Sequence, residues 1–340
     1  MENKKVVPIF YAADKFYMPF LAVALTSLKE TKTAEYDYHV HILYTGELND
    51  RAEKIKDMEE EDFSVSFVNV SKQAEEISGL MHCRDYYTSA IYFRLFIPDL
   101  FPQYDKGIYL DCDTVAIEDI GKLFDIDIKD NYIGAVADQA VASVPAFCDY
   151  TKNALGIAPE TYFNSGVIVM NLKRFREMDF YNVFCKVLGS YEFIVAPDQD
   201  CLNLICKGKV YYYGAKWNAM PIAGGREVKP ALVHYNLTMK PWHYSGVLYE
   251  EYFWNYARRT PFYDSIVAIK AAFTPEMAQR DETGGARLIA LAQAEADSPC
   301  NYLRSIVEKD KQPIKKRKNE VGRYGFIEDF ARKTRGLKAD

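Results

Sequence analysis

The sequence has no long hydrophobic run, since no stretch of about 18 uncharged apolar residues occurs in its 340 positions. A membrane-spanning helix needs about 20 such residues, so none is predicted. The first residues lead directly into a strand-like segment at 6–11, and no signal peptide is predicted. The seven cysteines are scattered and odd in number, which favours reduced thiols over a disulfide framework. These absences predict a cytoplasmic protein.

Glycine is missing from the first predicted strand-to-helix loop. The dinucleotide-binding fingerprint G-x-G-x-x-G would have to lie in this loop, but residues 12–17 contain no glycine. The sequence therefore lacks the main feature that would indicate an NAD-binding Rossmann domain. A nucleotide could still bind there through Asp14 and backbone groups.

The net charge of −6 is unevenly distributed. Residues 304–340 contain 12 Lys and Arg against 6 Asp and Glu, so this tail carries +6 and the preceding chain carries −12. Basic clusters interleaved with Phe326, Ile327 and Phe330 are typical of a helix that lies on an anionic membrane. The tail thus predicts peripheral attachment to the inner face of the membrane, with a solvated tail as the alternative. No nucleic-acid partner is predicted.

Strand-like and helix-like segments alternate from the N-terminus, which predicts an α/β fold with a doubly wound, mostly parallel sheet. Helices are predicted at 17–28, 49–61, 89–100, 175–191 and 201–206, with Pro98 and Pro102 ending the third. Residues 274–285 are predicted as a loop, followed by a pair of helices at 286–309. Strands are predicted at 6–11, 38–44, 63–70, 107–113, 132–138, 162–172, 210–213 and 231–234.

The apolar strand at 107–113 ends in two carboxylates, Asp111 and Asp113, one residue apart. Side chains alternate along a strand, so both lie on one face at its carboxyl end, where open α/β sheets bind ligands. Two like charges held so close favour a divalent cation between them or a shared proton. An acidic turn is the structural alternative. The same residues also fit the D-x-D-x-T signature of haloacid-dehalogenase phosphatases, although that fold places the motif on its first strand.

Six signals in order along the chain resemble glycosyltransferase family 8, the retaining GT-A family that includes bacterial lipopolysaccharide galactosyl- and glucosyltransferases. The resemblance extends from about residue 6 to 243. It implies a GT-A type, Rossmann-like mixed sheet flanked by helices at 1–247, a helical extension at 248–309 and the basic tail at 310–340. The signals are Tyr11-Ala-Ala-Asp14, Arg94, Tyr109-Leu-Asp-Cys-Asp113, Asn164-Ser-Gly166, Asp198-Gln-Asp200, and His234 followed by Lys240-Pro-Trp-His243.

The resemblance also implies a UDP-sugar donor bound with Mn²⁺, for which Mg²⁺ is a substitute. Asp111, Asp113 and His234 would hold the metal, and Lys240 would contact a phosphate. Tyr11 and Ala12 would lie along the base, Asp14 would accept from the uracil N–H, and Cys112 would belong to the donor site. The donor hydroxyls would be held by Arg94, Asp138, Asn164, Asp198 and Gln199. Arg94 could instead be a buried partner of a carboxylate, and Asn164 a turn residue.

Retention of the anomeric configuration needs a nucleophile on the far face of the sugar or attack on the same face as the leaving group. The family places an amide, here Gln199, near the far face, with Asp200 as the nearby carboxylate. An amide is a poor nucleophile, so we favour same-face attack with Gln199 stabilising positive charge on the sugar. Two positions depart from the family: Phe16 replaces a polar contact and Leu237 replaces a glycine near the diphosphate.

The sequence therefore predicts an Mn²⁺-dependent retaining glycosyltransferase that moves galactose or glucose from a UDP-sugar to a glycan or glycolipid acceptor. A non-catalytic, membrane-associated protein that binds sugar nucleotides is the alternative from another class. The choice of hexose, the acceptor and the oligomeric state stay open.

Overall fold

The computed structural model describes residues 4–81, 88–222 and 228–311, so most of the basic tail lies outside the described residues. Within them, strands form a seven-stranded and a two-stranded sheet. The strands are β1 (Lys5–Ala12), β2 (Tyr36–Tyr44), β3 (Phe63–Asn69), β4 (Gly107–Leu110), β5 (Thr114–Ala116), β6 (Ile133–Ala135), β7 (Val167–Met170), β8 (Val210–Tyr212) and β9 (Leu232–His234).

The larger sheet has the strand order β3-β2-β1-β4-β7-β6-β8. The first four strands in this order pair in parallel, whereas β7 runs antiparallel to both β4 and β6. The sheet is therefore mixed, as a GT-A type fold requires, and less parallel than the simple alternation of elements indicates. Strand β4 lies in the middle and is buried along its whole length, which explains its continuous apolar sequence.

The two-stranded sheet pairs β5 with β9, and Thr114 lies opposite His234. The sequence predicts β9 but not β5, because three residues directly after an acidic motif carry too little periodicity to indicate a strand. This short ladder has a large consequence. It brings His234 next to the two aspartates, from which it is separated by more than a hundred residues in the chain.

Helices cover both faces of the larger sheet and continue after β9 as a C-terminal extension. Short 3₁₀ turns occur at Ser78–Leu80, Ser89–Phe96, Pro159–Thr161 and Ala215–Asn218, and a π turn at Tyr150–Ala154. The helices are α1 (Met18–Thr31), α2 (Asp50–Lys56), α3 (Ser71–Glu76), α4 (Ile97–Leu100), α5 (Gly121–Phe124), α6 (Gln139–Ser143), α7 (Pro145–Asp149), α8 (Leu172–Glu177), α9 (Phe180–Leu188), α10 (Pro197–Ile205), α11 (Glu250–Ala257), α12 (Tyr263–Ala271), α13 (Pro275–Asp297) and α14 (Tyr302–Lys311).

The predicted loop at 274–285 is wrong, because these residues form the first half of α13. Thr274 caps the helix by accepting from the backbone N–H of Met277, and Pro275 occupies the first helical position, where its missing N–H is harmless. These are strong start signals. The adjacent Gly284 and Gly285 obscured them, since glycine is a poor helix former.

Three other helix predictions need correction. The predicted helix at 175–191 is two helices, α8 and α9, separated at Asp179, which adopts a left-handed backbone with φ 57°. The segment at 89–100 is mostly 3₁₀ turn, and Pro98 lies inside the first turn of α4 instead of ending a helix. The helix predicted at 201–206 begins earlier, so Asp198 to Asp200 lie in the first turn of α10.

The described part of the chain contains no helix that is both long and apolar enough to span a lipid bilayer.

Candidate active site

The two aspartates lie directly beyond the carboxyl end of β4, at the junction of the two sheets. The backbone N–H of Asp111 donates to the carbonyl of Gly166 at 2.8 Å, just before β7. The carbonyl of Asp113 accepts from the N–H of Tyr235 at 2.9 Å, just after β9. Backbone pairing on both sides therefore fixes the acidic segment before any side-chain contact is considered.

Three ligand atoms converge here. His234 Nε2 lies 3.3 Å from Asp113 Oδ1 and 3.7 Å from Asp111 Oδ2. Ligand atoms of the three residues all lie within 4.8 Å of one another. Neighbouring ligands of an octahedral ion with bonds of about 2.1 Å are roughly 3 Å apart, so this spacing suits a small divalent cation.

A chain of hydrogen bonds fixes which nitrogen of His234 faces the carboxylates. The Asp138 carboxylate accepts from Asn164 Nδ2 at 3.1 Å, so Asn164 Oδ1 points the other way and accepts from Asn218 Nδ2 at 3.0 Å. Asn218 Oδ1 must then face His234 Nδ1, which lies 3.0 Å away and donates to it. In the neutral ring the proton is therefore on Nδ1, and Nε2 presents its lone pair to the aspartates.

This arrangement leaves three acceptors facing one another. Asp113 Oδ1 is buried and has no hydrogen-bond partner among the described residues. A buried, unpaired carboxylate oxygen opposite a nitrogen lone pair is costly unless a cation lies between them. A Cβ at Gly166 would lie 2.4 Å from Asp111 Oδ2 and 2.4 Å from His234 Cε1, so only glycine leaves this space open. The residues present therefore fit a divalent metal ion.

Lys240 supplies positive charge beside these ligands. Its buried ammonium forms an ion pair with Asp113 Oδ2. Burial by itself would raise the pKa of the Asp113 carboxyl, but the nearby positive charge of Lys240 lowers the pKa below its usual range. Trp242 anchors the lysine loop by stacking on Phe20 of α1, with ring centroids 3.9 Å apart.

Arg94 is buried and connects two carboxylates. Its Nη2 lies 3.2 Å from Asp111 Oδ1 and 3.5 Å from Asp198 Oδ2, and its Nη1 donates to the Ser165 carbonyl at 2.5 Å. The guanidinium also packs on the Tyr109 ring, 4.2 Å from its centroid. These contacts are those of the structural alternative that the sequence left open for Arg94. The side chain still lines the cleft.

The amide of Gln199 and the carboxylate of Asp138 belong to one hydrogen-bond network. Gln199 Nε2 donates to Asp138 Oδ2 at 3.1 Å, and Gln199 Oε1 accepts from the Ser165 N–H at 2.9 Å. Asp138 Oδ1 accepts from two N–H groups at the start of α6. Both side chains line the cleft with Asn164 and Asp198. Burial raises the pKa of Asp198, and the negative charge of Asp111 adds to this, although Arg94 opposes both.

Asp200 lies behind the cleft-lining residues Asp138 and Gln199 and is not part of the cleft surface. The residue is fully buried and does not line the cleft. Its Oδ1 accepts from the Tyr162 hydroxyl at 2.6 Å, and its Oδ2 accepts from the Tyr150 hydroxyl at 2.8 Å. Burial raises the pKa of Asp200 to about 7, although these hydrogen bonds oppose the shift. The structure thus does not bring Asp200 together with the other predicted catalytic side chains.

Four residues predicted for the donor site, Tyr11, Ala12, Asp14 and Cys112, separate into two groups. Ala12, Asp14 and Cys112 line the cleft, and Asp14 Oδ1 accepts from the N–H groups of Phe16 and Tyr17, which fixes the loop before α1. Tyr11 is fully buried in the hydrophobic core and does not line the cleft.

Leu237, where the resemblance described above implies a glycine, has a backbone conformation that favours glycine. Its φ is 55°, in the left-handed region, which costs a residue with a Cβ roughly 1–2 kcal/mol. The side chain is 42% exposed and lines the cleft, as does Lys240. The chain therefore retains the turn and adds an apolar side chain at its surface. Phe16, the other departure, is exposed.

Sequence reasoning missed Asn218, which orients His234, and Ser165, which contacts Gln199, Asp198 and Arg94. Ser165 lies inside the motif Asn164-Ser-Gly166, which could have identified it. Asn218 lies in a 3₁₀ turn at 215–218 with no motif of its own, and only the fold brings it to the histidine.

Comparison with known proteins gives a consistent result. A model of glycosyl transferase family 8 matches residues 8–246. A putative glycosyltransferase of Haemophilus influenzae is 24% identical over 239 residues, which cover 70% of this chain and 71% of the relative. The lipopolysaccharide 1,2-glucosyltransferase of Escherichia coli K12 is 25% identical over 264 residues, covering 72% of this chain and 75% of the relative. The galactosyltransferase LgtC, solved in complex with donor and acceptor sugar analogues, is 26% identical with a TM-score of 0.66, covering 75% of this chain and 96% of LgtC.

Proposed function

The chain belongs to glycosyl transferase family 8 and has a GT-A type fold, and on this basis we propose that it transfers a hexose, galactose or glucose, from a UDP-sugar to a glycan or glycolipid acceptor with retention. The proposed metal is Mn²⁺, since mixed oxygen and nitrogen ligation suits it better than Ca²⁺. The observation that carries the proposal is the convergence of Asp111, Asp113 and His234 beside Lys240 in one cleft.

A diphosphate leaving group gains negative charge as the bond to the sugar breaks, and a divalent ion stabilises that charge. In this chain, Lys240 would contribute a second positive charge at the same end of the cleft, exchanging part of its contact with Asp113 for a phosphate oxygen. Asp14 would accept from the uracil N–H through Oδ2, because Oδ1 already holds the loop. Tyr11 would then act only through its backbone.

Gln199 and Asp138 would position the sugar instead of reacting with it. The Gln199 carbonyl oxygen is oriented by the Ser165 N–H, which gives the sugar a fixed dipole to face. In same-face attack, the acceptor oxygen bonds to the anomeric carbon, the carbon–phosphate oxygen bond breaks, and the acceptor proton passes to the leaving phosphate. The burial of Asp200 supports this route, since a nucleophilic carboxylate would have to reach the sugar.

The test is UDP release from a panel of UDP-sugars with Mn²⁺, followed by NMR determination of the anomeric configuration of the transferred sugar. We expect turnover with UDP-galactose or UDP-glucose and an α-linked product. Failure of the purified protein to bind or turn over any UDP-sugar would contradict the proposal. The phosphatase alternative is set aside, because a model of glycosyl transferase family 8 matches residues 8–246 and because the motif follows the fourth strand of the chain, not the first.

Membrane attachment is proposed separately and rests on the sequence of the tail, which lies outside the described residues. Replacing the four basic residues Lys315-Lys-Arg-Lys318 by glutamine should weaken binding to vesicles that contain anionic lipid. Equal sedimentation of the two proteins with such vesicles would count against it.

A further inference from the structure

The cleft continues past the catalytic side chains into a second half with a different wall. The whole cavity measures about 480 Å³. Beyond Asp138 and Gln199, it is lined by side chains of α6, α7 and α13, the last of which belongs to the C-terminal extension and lies beyond the matched residues 8–246. We refer to this part, lined by Val141, Val144, Phe147, Gly285, Leu288 and Ile289, as the apolar half.

Helix α13 is anchored by hydrogen bonds before and after the residues that line the cavity. Near its start, Asp281 accepts a hydrogen bond from Tyr244, just after the Lys240 loop, at 2.8 Å. Near its end, Glu295 accepts from the Tyr191 hydroxyl, in the segment that precedes α10. The middle of the helix, between these anchors, faces the cavity. The apolar half therefore has a fixed wall.

Two adjacent glycines of α13 line the cavity and leave space in it because they have no side chains. Gly284 and Gly285 lie in the middle of a 23-residue helix, where each costs roughly 1 kcal/mol relative to alanine. A Cβ at Gly285 would meet no atom within 4 Å, and its φ is not in the left-handed region. Neither packing nor backbone conformation therefore requires glycine at 285. What the missing side chain provides is space in the cavity.

The hydroxyl protons of the polar side chains around the apolar half are already engaged. The Ser143 hydroxyl donates to the Gln139 carbonyl at 2.8 Å, and the Thr151 hydroxyl donates to the Cys148 carbonyl at 3.2 Å. The Tyr150 and Tyr162 hydroxyls donate to Asp200. A saccharide ring placed here would lie against Val141, Leu288 and Ile289, whose side chains offer its hydroxyls no hydrogen-bonding groups.

We propose that the apolar half binds the alkyl chain of a glycolipid acceptor, whose sugar hydroxyl points toward the donor beside Gln199. The lining favours an alkyl chain because it is mainly aliphatic, and because Ile289 is 42% exposed, so that a chain can leave the cavity toward solvent or a bilayer. This inference rests on the proposed function, since it names the acceptor of the same transfer.

The test compares octyl with methyl glycosides, in both the β-galactoside and β-glucoside series, below the micelle-forming concentration. The full chain with UDP and Mn²⁺ is titrated by calorimetry, and transfer is measured with the UDP-sugar that supports turnover. We expect octyl glycosides to bind roughly 10-fold or more tightly than methyl glycosides. Equal binding of the two, or phenyl glycosides binding as tightly as octyl glycosides, would overturn the inference. Absence of UDP release with every UDP-sugar would instead overturn the proposed function.

A matched pair of variants locates the site. Gly285→Leu places an isobutyl group in the cavity and should bring the ratio of octyl to methyl affinity close to one. Ala286→Leu adds similar bulk at the next position, which is exposed and does not line the cleft, and should keep the wild-type ratio. Circular dichroism and thermal unfolding establish that both variants fold. A folded Gly285→Leu protein with the wild-type ratio would contradict the placement of the alkyl chain.

Discussion

The two halves of the cleft are built from different elements and by different rules. One half, which we call the metal half after the metal site proposed there, contains Asp111, Asp113 and His234. Strand ends and a two-stranded ladder bring these residues together from distant segments, and hydrogen bonds fix their orientation. In the apolar half, helices α6, α7 and α13 present aliphatic side chains, and the buried carboxylate behind them, Asp200, is enclosed by two tyrosines. We infer that the strand ends position the proposed metal ligands, while helices α6, α7 and α13 set which acceptor can approach.

The largest expected effect comes from neutralising the metal half. Asp113→Asn should reduce UDP-sugar turnover by about 10³-fold and abolish measurable Mn²⁺ binding, because it removes a metal ligand and leaves Lys240 buried without its counter-ion. Loss of the buried pair will also lower stability. Asp111→Asn tests the same role in a side chain that is 32% exposed, where the structural cost is smaller.

The control for both substitutions is Asp130→Asn, which changes a carboxylate on the surface, 82% exposed and paired with Arg174. It should retain wild-type turnover. A folded Asp111→Asn protein that binds Mn²⁺ as tightly as the wild type would show that the convergence of ligand atoms is not a metal site.

The second prediction uses the raised pKa of the buried Asp200 carboxyl. The pKa of Asp200 is raised by burial to about 7, against about 3.9 in an unfolded chain. From pH 4 to 7 the unfolded chain releases this proton while the folded protein keeps it, so the stability falls as the pH rises, by up to about 4 kcal/mol. Below pH 4 both states are protonated and the effect is absent.

Asp200→Asn removes this titration. The free energy of unfolding, measured by urea denaturation at pH 4 to 7.5, should therefore fall less steeply with pH in the variant than in the wild type. Asp149→Asn, at an exposed position in α7, should follow the wild-type profile. Parallel profiles for wild type and Asp200→Asn would mean that the carboxyl ionises normally despite its tyrosine partners.

The third prediction concerns Asn218, which acts on the metal half through His234. Asn218→Leu removes the acceptor for Nδ1–H and should weaken Mn²⁺ affinity by about 10- to 100-fold, because the ring loses its fixed tautomer and orientation. Asn218→Asp retains an acceptor oxygen and should bind Mn²⁺ within a few-fold of the wild type. Calorimetry or electron paramagnetic resonance of free Mn²⁺ measures both. Equal affinities for the leucine and aspartate variants would exclude this positioning role.

The sequence predicts the two halves unequally. The acidic motif, the histidine and the lysine are short-range signals with fixed spacing, so the family and the α/β fold were confirmed. What sequence could not supply was the ladder between β5 and β9 or the contact from Asn218, since both depend on pairing across more than a dozen residues. The prediction for the first half of α13 was wrong for another reason. Its start signals, Thr274 and Pro275, are present in the sequence, but Gly284 and Gly285 are poor helix formers and the segment lacks a clear apolar periodicity.

The smallest effect tests whether those glycines serve the cavity or the fold. Gly285→Ala should raise the free energy of unfolding by roughly 0.5–1 kcal/mol, because alanine restricts the unfolded chain and fits the helical backbone with nothing within 4 Å of its Cβ. Gly246→Ala is the matched control: its Cβ also meets open space, but its φ of 74° should make alanine destabilising by about 1 kcal/mol. Urea midpoints at unchanged slope report both. A destabilised Gly285→Ala protein would mean that the helix itself needs the glycine, and the space in the apolar half would then be a by-product of folding instead of a site for the acceptor.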